Sequence, residues 1–168
     1  MRAFVVVSPE SSGNHLISEL LESVGCPLHN FRSVDPEKYL NNMVTAVSIP
    51  SSDQWYHIEQ DIIVPLKVRG YTDIKIIISF RSWDYMIQSQ IRNGHRQSWS
   101  EALGIAQKSF RHIFTTIGNN EFTLVMFDRL VSTVGYKEKL LLELGLPIET
   151  NYKIWNSNAR YATMETAV

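Results

Sequence analysis

The chain has 168 residues, of which 44% are hydrophobic, and its formal net charge at pH 7 is −1. This length and apolar content are typical of one globular unit, so we expect a single domain over residues 1–168. The near-neutral charge gives no overall basic field, which argues against nucleic acid or an anionic membrane surface as a partner. No apolar run reaches membrane-spanning length, and one cysteine, Cys26, with no signal peptide, indicates a reducing, cytoplasmic setting.

Apolar runs and amphipathic segments alternate along the chain. Strands are predicted over residues 3–7, 74–80 and 122–127, with a weaker apolar run over 43–49. Helices are predicted over 15–24, over 54–69 with a kink or division at Pro65, after Arg81 with Ser82 as the cap, over 99–117, and over 136–144. Such alternation predicts an α/β fold of three layers, α/β/α, with a mostly parallel central sheet.

The first predicted strand is followed by a small polar loop, SPESSG over residues 8–13, and then by a helix. Backbone N–H groups at a helix N-terminus and the helix dipole both favour an anion, so the loop predicts a phosphate or sulfate site. The segment does not complete GxxxxGK[ST], because Asn14 and His15 replace the Lys and the Ser or Thr of that motif. An ordinary ATPase or GTPase is therefore disfavoured. A plain tight turn with an N-cap would use similar residues.

A second candidate anion site follows the strand over 74–80. Arg81 comes directly after it, and Ser89 stands eight positions further on, about two turns along the expected helix. A guanidinium offers forked donors that fit a phosphate, and a hydroxyl offers one more. Because ligands of parallel sheets bind at the carboxyl ends of the strands, both loops are expected at one crevice, with a ligand that carries two separated phosphates. The alternative for Arg81 is an ion pair with Asp84 or Asp128.

Three segments together resemble the sulfotransferases that use 3′-phosphoadenosine 5′-phosphosulfate, PAPS. The segments are PESSGNHL over residues 9–16, IIISFRSWDYMIQSQ over 76–90, and FTLVMFDRLVSTVGYKEKLLLELGLP over 122–147. They lie in the order that this family has and span nearly the whole chain. The resemblance implies a P-loop nucleotide-hydrolase-like fold of the sulfotransferase type, with PAPS as donor and no metal. The partners it implies are this small-molecule nucleotide and a hydroxyl-bearing or amine acceptor, such as a saccharide.

The resemblance also assigns roles to single residues. The 3′-phosphate would be bound by Arg81 and Ser89. The 5′-phosphosulfate would be bound by the loop and the helix start, which comprise Ser11, Ser12, Gly13, Asn14 and His15. The implied enzyme is a PAPS-dependent sulfotransferase that moves a sulfuryl group to the acceptor.

Two departures from the family bear on catalysis. Ser11 stands where the loop of the family carries a Lys or Arg that stabilises charge on the bridging oxygen. Ser48 stands where some members carry a catalytic His, so the nearby His57 is the predicted base. The candidates to replace the loop cation are His15 and a Lys or Arg from residues 92–111. The missing Lys leaves a catalytically weak nucleotide-binding protein as one alternative. A small-molecule or nucleotide kinase of the phosphate-loop type is another, although it should need a Lys at Asn14.

Other polar and aromatic residues leave simpler interpretations open. The five histidines show no metal-ligand spacing with Cys26, so no metal is expected. Trp83 and Tyr85 could stack on adenine, or they could belong to the core or its rim. Asp128 is expected to cap the helix that follows the last strand.

Overall fold

The structure is a computed structural model, and it describes residues 1–30, 44–51 and 56–160. One sheet contains five strands: β1 (Arg2–Pro9), β2 (Leu28–Asn30), β3 (Val44–Ser51), β4 (Asp73–Phe80) and β5 (Phe122–Met126). The strand order is β2-β3-β1-β4-β5, and each neighbouring pair is parallel. The predicted α/β class and parallel sheet are therefore confirmed, and β2 is an additional strand. Residue 43 of the predicted weak run lies outside the described residues.

A short helix, Phe127–Ser132, was not predicted, and the other helices fall close to their predicted positions with one exception. The α-helices are α1 (Asn14–Ser23), α2 (Val64–Val68), α3 (Trp83–Arg92), α4 (Trp99–Thr116), α5 (Phe127–Ser132) and α6 (Tyr136–Glu143). The exception is the segment predicted over 54–69, whose first two residues lie outside the described ranges. Its remainder is a π-helical segment, Ile58–Ile63, followed by α2. Pro65 is the second residue of α2 and directly follows the junction with the π-helical segment, so it divides the predicted helix.

The central strand β1 alternates its side chains between two apolar cores. Ala3, Val5 and Val7 pack with the π-helical segment and with residues of α2, α3 and α4. Phe4 and Val6 pack on the opposite face, with residues of α1, α5 and α6. All five side chains are fully buried. Helices thus cover both faces of the sheet, which gives three layers.

The chain leaves β1 and β4 towards opposite faces of the sheet. Helix α1, which follows β1, packs in the core that contains Phe4 and Val6, whereas α3, which follows β4, contributes Met86 to the other core. β1 and β4 are parallel neighbours, with Val7 beside Ile78 near their carboxyl ends. Two adjacent strands whose connections diverge in this way form a topological switch point, where open α/β sheets bind their ligands.

Candidate functional site

The two segments that follow β1 and β4 line one cleft of about 420 Å³. Six residues predicted to bind a nucleotide line this cleft: Ser11, Gly13, Asn14, His15, Arg81 and Ser89. The other lining residues are Leu16, Glu19, Asn93, Phe127, Trp155 and Ser157. The structure thus brings together the strand ends that the sequence placed at one crevice. Ser12 and His57 are not among the lining residues.

The loop between β1 and α1 is shaped by two residues with left-handed backbone angles. Gly13 is the N-cap of α1 with a φ of 100°, and Ser11 has a φ of 65°. A Cβ atom on Gly13 would lie 2.1 Å from Cδ2 of Phe127, so the loop passes too close to that ring for any side chain. Glycine at the N-cap provides no side-chain cap for α1. The first turn of α1 includes His15 and Leu16, which line the cleft, and N–H groups in a first turn lack helical acceptors.

Ser12 faces the protein interior. Its side chain is fully buried, and its Oγ donates to Sδ of Met86 at 3.0 Å. Its N–H donates to the carbonyl of Pro9 at 3.2 Å, and its carbonyl accepts from Oγ of Ser79 at 2.5 Å. Ser12 therefore fastens the loop to β4 and α3, and its side chain lies away from the cleft that it was predicted to line.

Arg81 is a buried cation at the cleft, with 4% of its surface exposed. Its Nε donates to Oδ1 of Asn158 at 2.8 Å, its Nη1 to the carbonyl of Ser11 at 3.1 Å, and its Nη2 to Oγ of Ser157 at 3.5 Å. The guanidinium carbon lies 4.9 Å from the centroid of the Phe127 ring, a cation–π distance. These three partners carry no formal charge, and they fix the orientation of the guanidinium at the cleft.

Asp128 connects the C-terminal segment with the start of α3. Its Oδ1 accepts from Nδ2 of Asn158 at 2.5 Å, and its Oδ2 accepts from the N–H of Ser82 at 2.8 Å. The expectation that Asp128 caps its own helix is wrong, because α5 begins after Met126 without a side-chain cap. Because β5 and β4 are neighbours, the carboxylate reaches the end of the adjacent strand instead. Ser82 is the N-cap of α3 as predicted, but its side chain makes no capping hydrogen bond.

Ser89 lies on α3 and is buried, with 6% of its surface exposed. Its Oγ accepts from Nδ2 of Asn93 at 3.4 Å, and both residues line the cleft. The helical spacing from Arg81 to Ser89 thus brings a hydroxyl to the same cavity as the guanidinium, as the sequence predicted.

His15 is an exposed titratable group at the cleft. Its Nε2 lies 3.0 Å from Oε1 of Glu19, one helical turn further along α1. The second oxygen of Glu19 accepts a hydrogen bond from the hydroxyl of Tyr152. Burial, together with this carboxylate, raises the pKa of Tyr152, so the phenol stays a hydrogen-bond donor to Glu19. The imidazole is therefore held at the cleft by a carboxylate that is itself held in place.

His57 caps the π-helical segment. Its Nδ1 accepts from the N–H of Gln60 at 3.4 Å, and its own N–H donates to Oδ2 of Asp61 at 2.7 Å. These contacts explain its position by local structure, and its role as the base stays a prediction. Trp83 packs edge-on against Phe80 and Phe110, with centroid distances of 5.8 and 5.6 Å, so it belongs to the core rather than to the cleft.

Sequence reasoning missed the contribution of the C-terminal segment. Trp155 and Ser157 line the cleft, and Asn158 holds Arg81 from 77 positions away. Residues 151–156 form no regular element, and a short 3-10 helix follows at Ser157–Arg160. The segment carries no periodic pattern, so its only signal was an aromatic residue followed by small polar ones.

The described ranges contain no group of three or more His, Cys, Asp or Glu side chains that could hold a metal ion. Among the helices of residues 1–30 and 56–160, none combines the length and apolar character that crossing a membrane requires.

No protein-family model matches this sequence, and no curated protein matches it. The fold and the cleft define an α/β protein with a parallel sheet and a candidate anion-binding site at its switch point. Its function has to be inferred from that cleft.

Proposed function

We propose that the cleft binds a nucleotide with two separated phosphates and that the protein is a PAPS-dependent sulfotransferase with a P-loop nucleotide-hydrolase-like fold. One observation carries this proposal: the loop after β1 and the pair Arg81 and Ser89 after β4 line the same cleft. A helix N-terminus and a guanidinium are two different anion-binding elements, which suits a ligand that is anionic at two places. The resemblance of the three sequence segments to sulfotransferases favours PAPS as that ligand.

The proposed ligand orientation follows from the two elements. The N–H groups at the start of α1 would bind the 5′-phosphosulfate, and Arg81 with Ser89 would bind the 3′-phosphate. In the reaction, the bond between sulfur and the bridging phosphate oxygen breaks while a bond from sulfur to the acceptor oxygen forms. The acceptor hydroxyl loses its proton, and His15 is the imidazole on the cleft lining that could accept it.

A second candidate function is nucleotide binding with weak or no transfer. Within the described part of the chain, Arg81 is the one Lys or Arg side chain on the cleft lining, and Ser11 occupies the place of the loop Lys. Loss of one donor that stabilises developing charge costs about 10²–10³ in rate. A protein that only binds the nucleotide would keep both anion-binding elements and would not need the loop Lys.

A kinase is supported less well by the loop geometry. Asn14 is buried, and its amide donates to the carbonyl of Ser8 at 3.4 Å, while His15 contacts Glu19. Neither residue supplies the ammonium group or the metal-binding hydroxyl that a kinase loop uses at these positions.

Calorimetric titration with adenosine 3′,5′-bisphosphate and with ATP tests the proposal. We expect the bisphosphate to bind more tightly than ATP, and Arg81→Ala to weaken its binding by at least about 1.5 kcal/mol, the value for a hydrogen bond to a charged group. Ser89→Ala tests the same phosphate with a smaller perturbation, and Arg111→Ala on the exposed surface of α4 is the matched control. Tighter binding of ATP, or equal affinity in Arg81→Ala and Arg111→Ala, would contradict the proposal.

Transfer of labelled sulfate from PAPS to a panel of hydroxyl and amine acceptors then separates the enzyme from the binding protein. A labelled product that depends on the protein supports the sulfotransferase. Tight binding of the bisphosphate with no product across the panel supports the second candidate.

A further inference from the structure

Trp155 is the exposed aromatic side chain of the cleft. Half of its surface is exposed, and it lines the cleft together with Ser157. The other aromatic lining residue, Phe127, is only 2% exposed, since its ring lies against Gly13 and beside the Arg81 guanidinium. Of the two described Phe and Trp residues on the lining, Trp155 is therefore the one whose ring is exposed.

The chain on both sides of Trp155 is anchored. Ile154 packs against the core that contains α1, α5 and α6. Asn158, three positions after Trp155, makes side-chain hydrogen bonds to Arg81 at 2.8 Å and to Asp128 at 2.5 Å. An aromatic side chain whose backbone is already fixed loses little conformational freedom when a ligand binds.

One side of the cleft is polar and suited to an anion, and the other side carries an aromatic ring. Loop residues, Arg81 and Ser89 provide the polar side, whereas Trp155 provides a flat aromatic surface on the C-terminal segment that also carries the partners of Arg81. A ligand that used both features would carry an anionic group and a planar ring joined by a short spacer, which is the general form of a nucleotide.

We infer that Trp155 is the base-contacting residue of the site, and that its indole stacks on the heteroaromatic ring of the ligand. This inference rests on the proposed function, because it takes the nucleotide phosphates to bind at the loop and at Arg81. Stacking on an indole requires no particular hydrogen-bond pattern on the base. The contact should therefore favour ligands that carry a base over ligands that lack one, without distinguishing one base from another.

The test compares two ligands on three proteins. The ligands are adenosine 3′,5′-bisphosphate and methyl riboside 3,5-bisphosphate, which carries both phosphates but no base. The proteins are the wild type, Trp155→Ala and Trp155→Phe, with Trp99→Ala as the control, because Trp99 is similarly exposed but does not line the cleft. Affinities are measured by calorimetry, or by competition for the weaker ligand.

We expect the wild type and Trp99→Ala to prefer the adenosine compound by about fivefold to about a hundredfold, the range for stacking of one base on an aromatic side chain. Trp155→Ala should lose this preference while binding the abasic compound as the wild type does, and Trp155→Phe should keep part of it. Unchanged abasic binding also shows that Arg81 and its partners are intact.

Three outcomes overturn the inference. Trp155→Ala could retain the preference, the wild type could show none, or Trp155→Ala could weaken both ligands equally, which would indicate a purely structural role. In each of these cases tight bisphosphate binding by the wild type leaves the proposed function standing. If the wild type binds neither ligand, the proposed function and this inference fail together.

Discussion

Gly13 is the position where one added methyl group should disturb the site most. In Gly13→Ala the new Cβ would lie 2.1 Å from Cδ2 and 2.6 Å from Cε2 of Phe127, and alanine would have to adopt a φ of 100°. The left-handed conformation costs about 1–2 kcal/mol for a residue with a Cβ. Overpacking against a buried ring costs about 1–3 kcal/mol more. We therefore expect the free energy of unfolding to fall by about 2–5 kcal/mol.

Gly135 provides a matched control for the contact with Phe127. It is also a left-handed N-cap, of α6, with a φ of 82°, and a Cβ there would meet nothing within 4 Å. Gly135→Ala should therefore cost only the conformational part, about 1–2 kcal/mol. Urea unfolding followed by circular dichroism gives both values, and equal slopes would show that the unfolded states are comparable.

The difference between the two variants isolates the clash. Phe127 also supports the Arg81 guanidinium, so Gly13→Ala should weaken bisphosphate binding, whereas Gly135→Ala should leave it unchanged. If both variants lose the same stability, the loop does not pass close to Phe127, and the geometry described for the cleft is wrong.

Further predictions concern the loop, the support of Arg81 and the buried thiol. Ser11→Gly should raise the free energy of unfolding by about 1 kcal/mol in urea, because it relieves a φ of 65°. Ser11→Lys should raise the rate of PAPS-dependent sulfuryl transfer by a factor of about 10²–10³. An unchanged rate would show that the missing loop cation does not limit transfer. Asn158→Ala removes a hydrogen-bond partner from a buried guanidinium, so calorimetry should show bisphosphate affinity lowered by about 1–3 kcal/mol. Burial raises the pKa of the Cys26 thiol from 9.0 to about 11, so as the pH rises the unfolded chain loses this proton before the folded protein does. The free energy of unfolding should therefore fall between about pH 9 and about pH 11, and Cys26→Ala should abolish this part of the pH dependence.

The elements that the sequence predicted well are those with a strong local pattern. β4 is a nearly continuous apolar run, and α4 is an 18-residue amphipathic segment, so each can be located without knowledge of its neighbours. β2 has three residues and gives no period to detect. The π-helical segment keeps apolar residues at helical spacing, and only packing decides its hydrogen-bond pattern.

The meeting of the loop and Arg81 was predictable for a topological reason. The carboxyl ends of parallel strands lie at one edge of a sheet, so polar residues that directly follow two strands are brought to the same side. The contributions of Asn158 and Asp128 were not predictable, because their contacts join residues 30 to 77 positions apart and no local pattern reports them. Ser12 was assigned to the site from its place in the loop, and nothing in the local sequence indicated that its side chain is buried in the core.

The most direct measurement is a crystal structure of the protein with adenosine 3′,5′-bisphosphate. We predict that the 5′-phosphate lies against the backbone N–H groups at the start of α1 and that the 3′-phosphate lies within hydrogen-bond distance of Arg81 and Ser89. A bisphosphate bound at another surface, or one whose two phosphates contact only one of these two segments, would contradict the assignment of this cleft.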